Sequence, residues 1–347
     1  MIAALLVFVA AGTARAHDEA RDDRPFVMRA YARAVQLLDE AAAARVPPLQ
    51  PPTPVAVKWK AQRLVSIDLG APLLDLAAGD LDGDGRAEIV ALTTRDVVVL
   101  SARGARGLAE IARAALPAEP PAIEPRDPVG TIVVASGGSA KEIWARSSTA
   151  GRGARYALTG ADLKEVAPLP SFPMCAPLAG ERERAGELAP GRDYFGGEGA
   201  ARVFALRCRG DLVDESGRAM IAIATLGPGG VLEVALRTRC AHGDASCPAE
   251  RRVQVAGAGV AFAIADVDSD GKPEVITSGD GAPGDPDSVS VYSAARAGAV
   301  GKPAYKKKFT GGVAGVVAAD LDGSGDLEVV AAVRLAGAAR VDLWLLN

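Results

Sequence analysis

The segment DLDGDGRAE, from Asp80 to Glu88, recurs as DVDSDGKPE from Asp266 to Glu274 and as DLDGSGDLE from Asp320 to Glu328. Each copy follows a short apolar run and leads into another: Ile89 to Leu92, Val275-Ile276, and Val329 to Val333. Acidic side chains hold positions 1, 3 and 9, as Asp80, Asp82 and Glu88, then Asp266, Asp268 and Glu274, then Asp320, Asp322 and Glu328. Position 5 carries another oxygen (Asp84, Asp270, Ser324) and position 6 is glycine (Gly85, Gly271, Gly325). Odd spacing around a sharp turn points the oxygens inward, and hard oxygen ligands select Ca2+ over softer metals. Arg86, Lys272 and Asp326 at position 7 would add their backbone carbonyls. Glycine at 6 supplies the dihedral that the reversal needs. The expectation is a calcium turn between two strands, used three times.

An EF-hand shares the start of this pattern, but it needs a bidentate Glu at position 12 and helices on both sides. Position 12 is Ala91, Thr277 or Ala331, and the flanks are β-branched runs of strand type. An acidic surface turn that binds nothing is the other alternative, and recurrence of one ligand geometry argues against it.

At 347 residues, 49% of them hydrophobic, the chain can build a substantial core. Aromatics are only 4%, so Val, Leu, Ile and Ala must fill it. A net charge of −4 gives no footprint for nucleic acid or an anionic membrane. The run Lys306-Lys307-Lys308 reads as a solvated strand edge.

Residues 1–16 resemble a secretory signal: Ile2 to Ala11 are apolar, and Ala14-Arg15-Ala16 fits an Ala-x-Ala cleavage site. An uncleaved anchor is the alternative, but the apolar run is short for a span. No other segment reads as a membrane span, so the mature chain is expected to be exported: periplasmic, at the cell surface or secreted. Cleavage would expose His17, whose partner in a copper site could only be His242; a tail is the preferred reading. Cys175, Cys208, Cys240 and Cys247 fit an oxidising compartment. Cys240 with Cys247 and Cys175 with Cys208 is the expected pairing, ahead of a zinc site at Cys240, His242 and Cys247.

Residues 17–54 are expected to hold a helix and a linker. Asp22-Asp23 precede Pro25, and Val27, Tyr31, Ala34, Val35 and Leu38 recur at helical spacing over 24–45. Residues 46–54, VPPLQPPTP, form a stiff proline linker. From Val55 the signals are β: Val55, Val57 and Trp59 alternate with polar residues, as do Val65, Ile67 and Leu69. The second and third acidic turns begin 54 residues apart, a spacing in the range of propeller blades. The same step from Glu88 reaches Glu142, where Val134, Ser136 and Gly138 replace the acids, which reads as a blade with a decayed turn. The repeat is least visible between Cys175 and Arg252, which should supply one or two blades. The chain ends just past the strand holding Trp344, and the strand around Trp59 to Ile67 has no blade of its own. Pairing the two removes both open edges. Residues 55–347 are therefore expected to form an all-β, β-propeller repeat domain of five blades, with six or seven left open.

The turn D-x-D-x-[DS]-G-x-x-E between strands resembles the FG-GAP and VCBS repeats of integrin α-chain propellers and many exported bacterial proteins. Gly281-Ala282-Pro283 after the second copy, and Phe309 with Gly311 before the third, are similar to that family's Gly-Ala-Pro and Phe-Gly. The resemblance covers residues 60–115 and 252–347. It implies calcium at the twelve side chains named above, with the third turn weakest because Ser324 replaces Asp.

The family hosts adhesion modules, scaffolds and a few enzymes, so it does not fix function. The preferred expectation is a non-enzymatic scaffold for a protein or carbohydrate partner. In it the calcium turns share one rim, and loops such as Gly279 to Asp287 and Gly186 to Gly199 meet the ligand. One alternative is a propeller enzyme acting on polysaccharide or phosphoester, for which Asp280, Asp285 and Asp287 form the most enzyme-like cluster. Another is an accessory subunit that docks through the 24–45 helix. Arg209-Gly210-Asp211 would matter only on an exposed tight loop.

Overall fold

The computed structural model describes residues 52–102, 107–121, 125, 127–137, 140–169, 205–238, 246–282, 284–336 and 339–347. The signal segment, the 24–45 helix, His17, His242, Cys175, Cys240 and the 186–199 loop lie outside these residues. Among the described residues, no helix is long and apolar enough to cross a membrane.

Strand β1 (Ala61–Asp68) precedes the first complete sheet. Blade I is β2 (Leu73–Gly79), β3 (Glu88–Thr93), β4 (Asp96–Ala102) and β5 (Leu108–Ala115), paired in that order. Blade II is β6 (Gly130–Gly137), β7 (Ala140–Ser147), β8 (Gly153–Thr159) and β9 (Asp162–Leu169). Blade III is β10 (Ala205–Val213), β11 (Ala219–Leu226), β12 (Leu232–Thr238) and β13 (Arg251–Val255). Blade IV joins β14 (Ala258–Ala265), β15 (Glu274–Gly279) and β16 (Ser288–Ser293). On the way out it lends β17 (Gly298–Ala299) in parallel to β13, and it finishes with β18 (Tyr305–Lys308). Blade V holds β19 (Val313–Ala319), β20 (Glu328–Arg334) and β21 (Arg340–Leu346), and β1 is its outermost strand. The protein is a five-bladed, all-β propeller.

The sheets follow from the residue pattern. Strand β3 is buried along its whole length, as its unbroken Ile89-Val90-Ala91-Leu92 run requires of a strand covered on both faces. In β11 the period is two, with Met220, Ala222, Ala224 and Leu226 buried and the residues between them half-buried. A blade cannot bury both faces alone, so the cores lie between blades. One cluster joins blades V and I through Leu76, Ile89, Val98, Val330 and Leu343. Others join I with II around Val90, Val99, Ile143 and Tyr156, III with IV around Val234 and Phe262, and IV with V around Ile276 and Val316. Each fully buried Val, Leu or Ile contributes about 1.5–3 kcal/mol of burial energy, so these seams hold the ring.

Ring closure is the β1·β21 pairing, which runs antiparallel from Ala61 opposite Leu346 to Asp68 opposite Arg340. The Ser66 hydroxyl donates to Asp342, and Arg63 stands 3.6 Å from the same carboxylate. The expected seam between the chain ends is therefore present, but its approach is not a strand. Residues 52–60 are not strand, although Lys60 exchanges both backbone hydrogen bonds with Asn347, at 2.6 and 3.1 Å, and Trp59 takes a left-handed φ of 50° just before that pair. Trp59 stacks on Tyr305 of β18 with ring centroids 5.3 Å apart.

Among the described residues, the stretch from Cys175 to Arg252 supplies one blade, within the one or two expected. One sequence expectation changes. Blade II has no decayed version of the acidic turn. Gly137 pairs directly with Ala140, so the chain between β6 and β7 is too short to hold a nine-residue acidic turn. Glu142 accepts from Arg155 and from the Trp144 indole at 2.8 and 2.9 Å, in a half-buried ion pair on the sheet.

Candidate functional site

Each acidic turn joins the innermost strand of its blade to the second: β2 to β3, β14 to β15, β19 to β20. Equivalent connections of a propeller fall on one rim, so all three turns share it. Neighbouring turns touch. The Ala87 N–H of the first donates to the Asp320 carbonyl of the third at 2.7 Å, and the stem of Arg86 lies against Gly323.

The backbone organises the carboxylates in the same way three times. The position-1 carboxylate accepts the position-6 N–H: Gly85 to Asp80 at 3.3 Å, Gly271 to Asp266 at 2.9 Å, Gly325 to Asp320 at 2.8 Å. The glutamate at 9 accepts the position-2 N–H, as Leu81 to Glu88, Val267 to Glu274 and Leu321 to Glu328, at 2.8 to 3.0 Å. These bonds fold the loop onto its own acids. Position 6 sits at φ of 88°, 80° and 90° in the three turns, which is why it is glycine. Position 4 is also left-handed; Gly83 and Gly323 adopt it freely, while Ser269 adopts it at φ 53° with a side chain.

Positions 1, 3 and 9 converge. In each trio, Asp80/Asp82/Glu88, Asp266/Asp268/Glu274 and Asp320/Asp322/Glu328, one oxygen per residue lies within 4.8 Å of the other two. Two oxygens that each stand 2.3–2.6 Å from one Ca2+ can be no more than about 5 Å apart, so the trios have the span such an ion requires. Position 5 stands outside the trio. Asp84, Asp270 and Ser324 accept the N–H of Arg86, Lys272 and Asp326 at 2.8, 2.7 and 3.3 Å, bracing the second half of each turn.

Burial of the position-9 glutamates disfavours their charge. Burial first, and then the charge of Asp268, push the Glu274 carboxyl up to about 9, against the Val267 N–H. Glu88 is raised by burial too, although the Leu81 N–H and the Ser101 hydroxyl oppose it. Burial raises Glu328, Asp266 and Asp268. Asp322 moves the other way: hydrogen bonds from Ser324 hold it below the usual range, and Arg86 of the first turn assists.

A degenerate fourth turn escaped the sequence reading. Blade III connects β10 to β11 through DLVDESGRAM, Asp211 to Met220, which matches DLDGDGRAE with one inserted residue. Leu212 is buried like Leu81, Gly217 is left-handed like Gly85, and Met220 occupies the buried place of the glutamate. Asp214 accepts from the Ser216 and Arg218 N–H groups and closes the turn on itself. Its neighbour Glu215 pairs with Lys272 of the blade IV turn at 2.9 Å, so that contact also bridges two turns. The signal was the Leu-x-x-x-x-Gly-Arg-Ala core, hidden by the insertion and the lost acid.

A cavity of about 580 Å³ is lined by residues of all five innermost strands. Two arginines of β10 cross it: Arg207 to buried Asp75 of β2 at 2.5 Å, and Arg209 to the Ala318 carbonyl of β19 at 3.3 Å. Arg209-Gly210-Asp211 therefore lies in a strand, not on a tight loop. On the loop after β15, Asp287 is occupied by the N–H groups of Gly279, Ser288 and Val313, a structural role. Lys306 and Lys308 are exposed on outer strand β18, and Lys307 lies over the Phe309 and Trp344 rings. No described cysteine is free; Cys208 lies in β10, and the Cys247 sulfur is 3.9 Å from the Thr238 carbonyl.

Fold and site together define a class: a five-bladed propeller with three convergent acidic turns on one rim. No family model and no curated protein matches the chain. Similar solved structures include a chain of "Chaetomium thermophilum Polycomb Repressive Complex 2 bound to GSK126", 10% identical, TM-score 0.25, covering 78% of this chain and 52% of that one. A humanized mutant of that complex with the same inhibitor gives 10% identity and a TM-score of 0.27, covering 80% of this chain and 52% of that one. The chain thus spans about half the length of the solved chains it matches. Likeness at that level carries nothing about function.

Proposed function

We propose that this chain is an exported calcium-binding propeller of the FG-GAP/VCBS type that serves as a non-enzymatic scaffold for a protein or carbohydrate partner. The carrying observation is the threefold recurrence of one carboxylate trio, each of a span that suits Ca2+ and each pre-folded by the same backbone bonds. Buried acids held together at a cost to their own ionisation are what a divalent cation relieves. The ion's role is structural: it neutralises the trio at the root of each second strand and stiffens the rim, as hard-cation loops do. Melting the full chain in millimolar calcium and in chelator tests the metal, with calcium expected to raise the midpoint. An unchanged midpoint contradicts it. A glycan array beside a pull-down from the same envelope tests the scaffold role, and turnover of a polysaccharide by the purified chain would overturn it.

A further inference from the structure

Of the chain's nine lysines, six sit in two short segments: Lys58 and Lys60 just before β1, and Lys302, Lys306, Lys307 and Lys308 in and before β18. The fold brings these segments together, since Trp59 stacks on Tyr305 with centroids 5.3 Å apart. Residues 52–67 and 288–319 contain no Asp or Glu, in a chain that has 43 of them, so a local excess of positive charge stands inside a net charge of −4. Lys58, Lys60, Lys302, Lys306 and Lys308 are exposed, while Lys307 lies over the Phe309 and Trp344 rings. By contrast Lys164 pairs with Asp162, and Lys272 with Glu215 and Asp270. Among the described residues, none of the six meets a carboxylate within ion-pair distance. The acids that flank the patch are engaged: Asp268, whose carbonyl takes the Val55 N–H, belongs to the blade IV trio, and Asp342 meets Arg63 and Ser66. Asp287 takes three N–H groups, and exposed Asp280 and Asp285 lie on the loop before β16, beyond the Lys308 end of β18.

Lysine on an outer strand guards the edge against pairing with another sheet. That role accounts for Lys306 and Lys308, but not for Lys58 and Lys60 in the segment stacked against them. Like charges gathered without counter-charge repel one another, and a polyanion relieves them. We propose that this outer face of blades IV and V binds an anionic polysaccharide. Lysine ammoniums are compact charges on flexible stems, which suits sulfates or carboxylates repeated along a polymer. Lys306 and Lys308 stand on one side of β18, about 7 Å apart along the strand, so one polymer chain can meet both. Nucleic acid is the weaker fit, because base stacking needs free rings, and here Trp59 is engaged by Tyr305, and Trp344 by Phe309 and Lys307. A lipid surface is also weaker, because the exposed large apolar side chains, Val129, Val166, Val231 and Val260, lie outside both lysine segments. The proposal rests on the scaffold reading and gives it a partner class; it depends on neither calcium nor the family resemblance.

The test is calorimetric titration of the full chain with chondroitin sulfate over a series of salt concentrations, with dextran as the uncharged control. Chondroitin sulfate is expected to bind, more weakly as salt rises, and dextran is not. Lys306→Gln with Lys308→Gln, and Lys58→Gln with Lys60→Gln, should each weaken binding about tenfold. Lys164→Gln on blade II should leave it unchanged. All these positions are exposed, and an unchanged melting midpoint checks that each variant keeps the fold. No binding, equal binding of dextran, or unchanged affinity in either double variant would each overturn the proposal. So would tighter binding of a DNA duplex, or of vesicles of phosphatidylserine and phosphatidylcholine in equal parts. Absent binding beside an intact calcium melt sinks this inference alone, whereas cleavage of the bound polymer sinks the scaffold reading and leaves the patch standing.

Discussion

Replacing Glu274 by Gln should stabilise the metal-free protein at neutral pH and destroy calcium binding at the same turn. Glu274 is only 6% exposed, and its carboxyl is pushed from 4.5 up to about 9 by burial and by Asp268. Between those values the folded chain keeps the proton and the unfolded chain releases it, so stability falls as pH rises. The contribution is fully present below pH 4.5 and lost as pH climbs toward 9. From 4.5 to 7 is two and a half units at ~1.4 kcal/mol each, a cost of about 3 kcal/mol in chelator at pH 7. Gln keeps an acceptor for the Val267 N–H and has no charge to bury. Denaturant melts in chelator should therefore show the variant more stable by up to about 3 kcal/mol at pH 7 and equal at pH 4.5. At a hundred times Kd, calcium should restore ~2.7 kcal/mol per turn to the parent, whereas the variant lacks that gain at the blade IV turn. A variant destabilised equally at both pH values in chelator would refute the reasoning.

Other consequences are open to direct measurement. Asp75→Asn breaks the buried pair with Arg207 and should cost about 3–5 kcal/mol by denaturant melt, with no change in the number of bound ions. Trp59→Ala removes the stack on Tyr305 at the closing seam and should cost ~1–3 kcal/mol, read by thermal melt. Glu142→Ala should cost about 1 kcal/mol or less, from its pair with Arg155, and leave the calcium response intact. Calorimetry across single-turn variants should rank the third turn weakest, because Ser324 brings no charge and Arg86 already serves Asp322.

The propeller was legible because the acidic turn is rigid in sequence: a fixed glycine, fixed acids and apolar runs on both sides. Blade number and ring closure followed from the period and from the unpaired strands at Trp59 to Ile67 and Trp344. The middle of the chain was harder to read for a physical reason. Once Met220 fills the place of a glutamate, nothing selects the acids upstream, and one insertion breaks the register that a repeat search follows. The step of 54 residues pointed instead to Glu142, whose carboxylate belongs to Arg155. The turn chemistry was visible in the spacing of positions 1, 3, 5 and 9. The acids at 1, 3 and 9 converge, and one oxygen at position 5 accepts the position-7 N–H. Cross-ring contacts such as Arg207 with Asp75, and the stack of Trp59 on Tyr305, join residues far apart in sequence and have no local signature.

The most direct test of the account is the number of calcium ions on chelator-treated protein, counted by native mass spectrometry across a calcium titration. Three ions are expected, and Asp82→Ala, Asp268→Ala and Asp322→Ala should each remove one. A folded chain that binds none would contradict it.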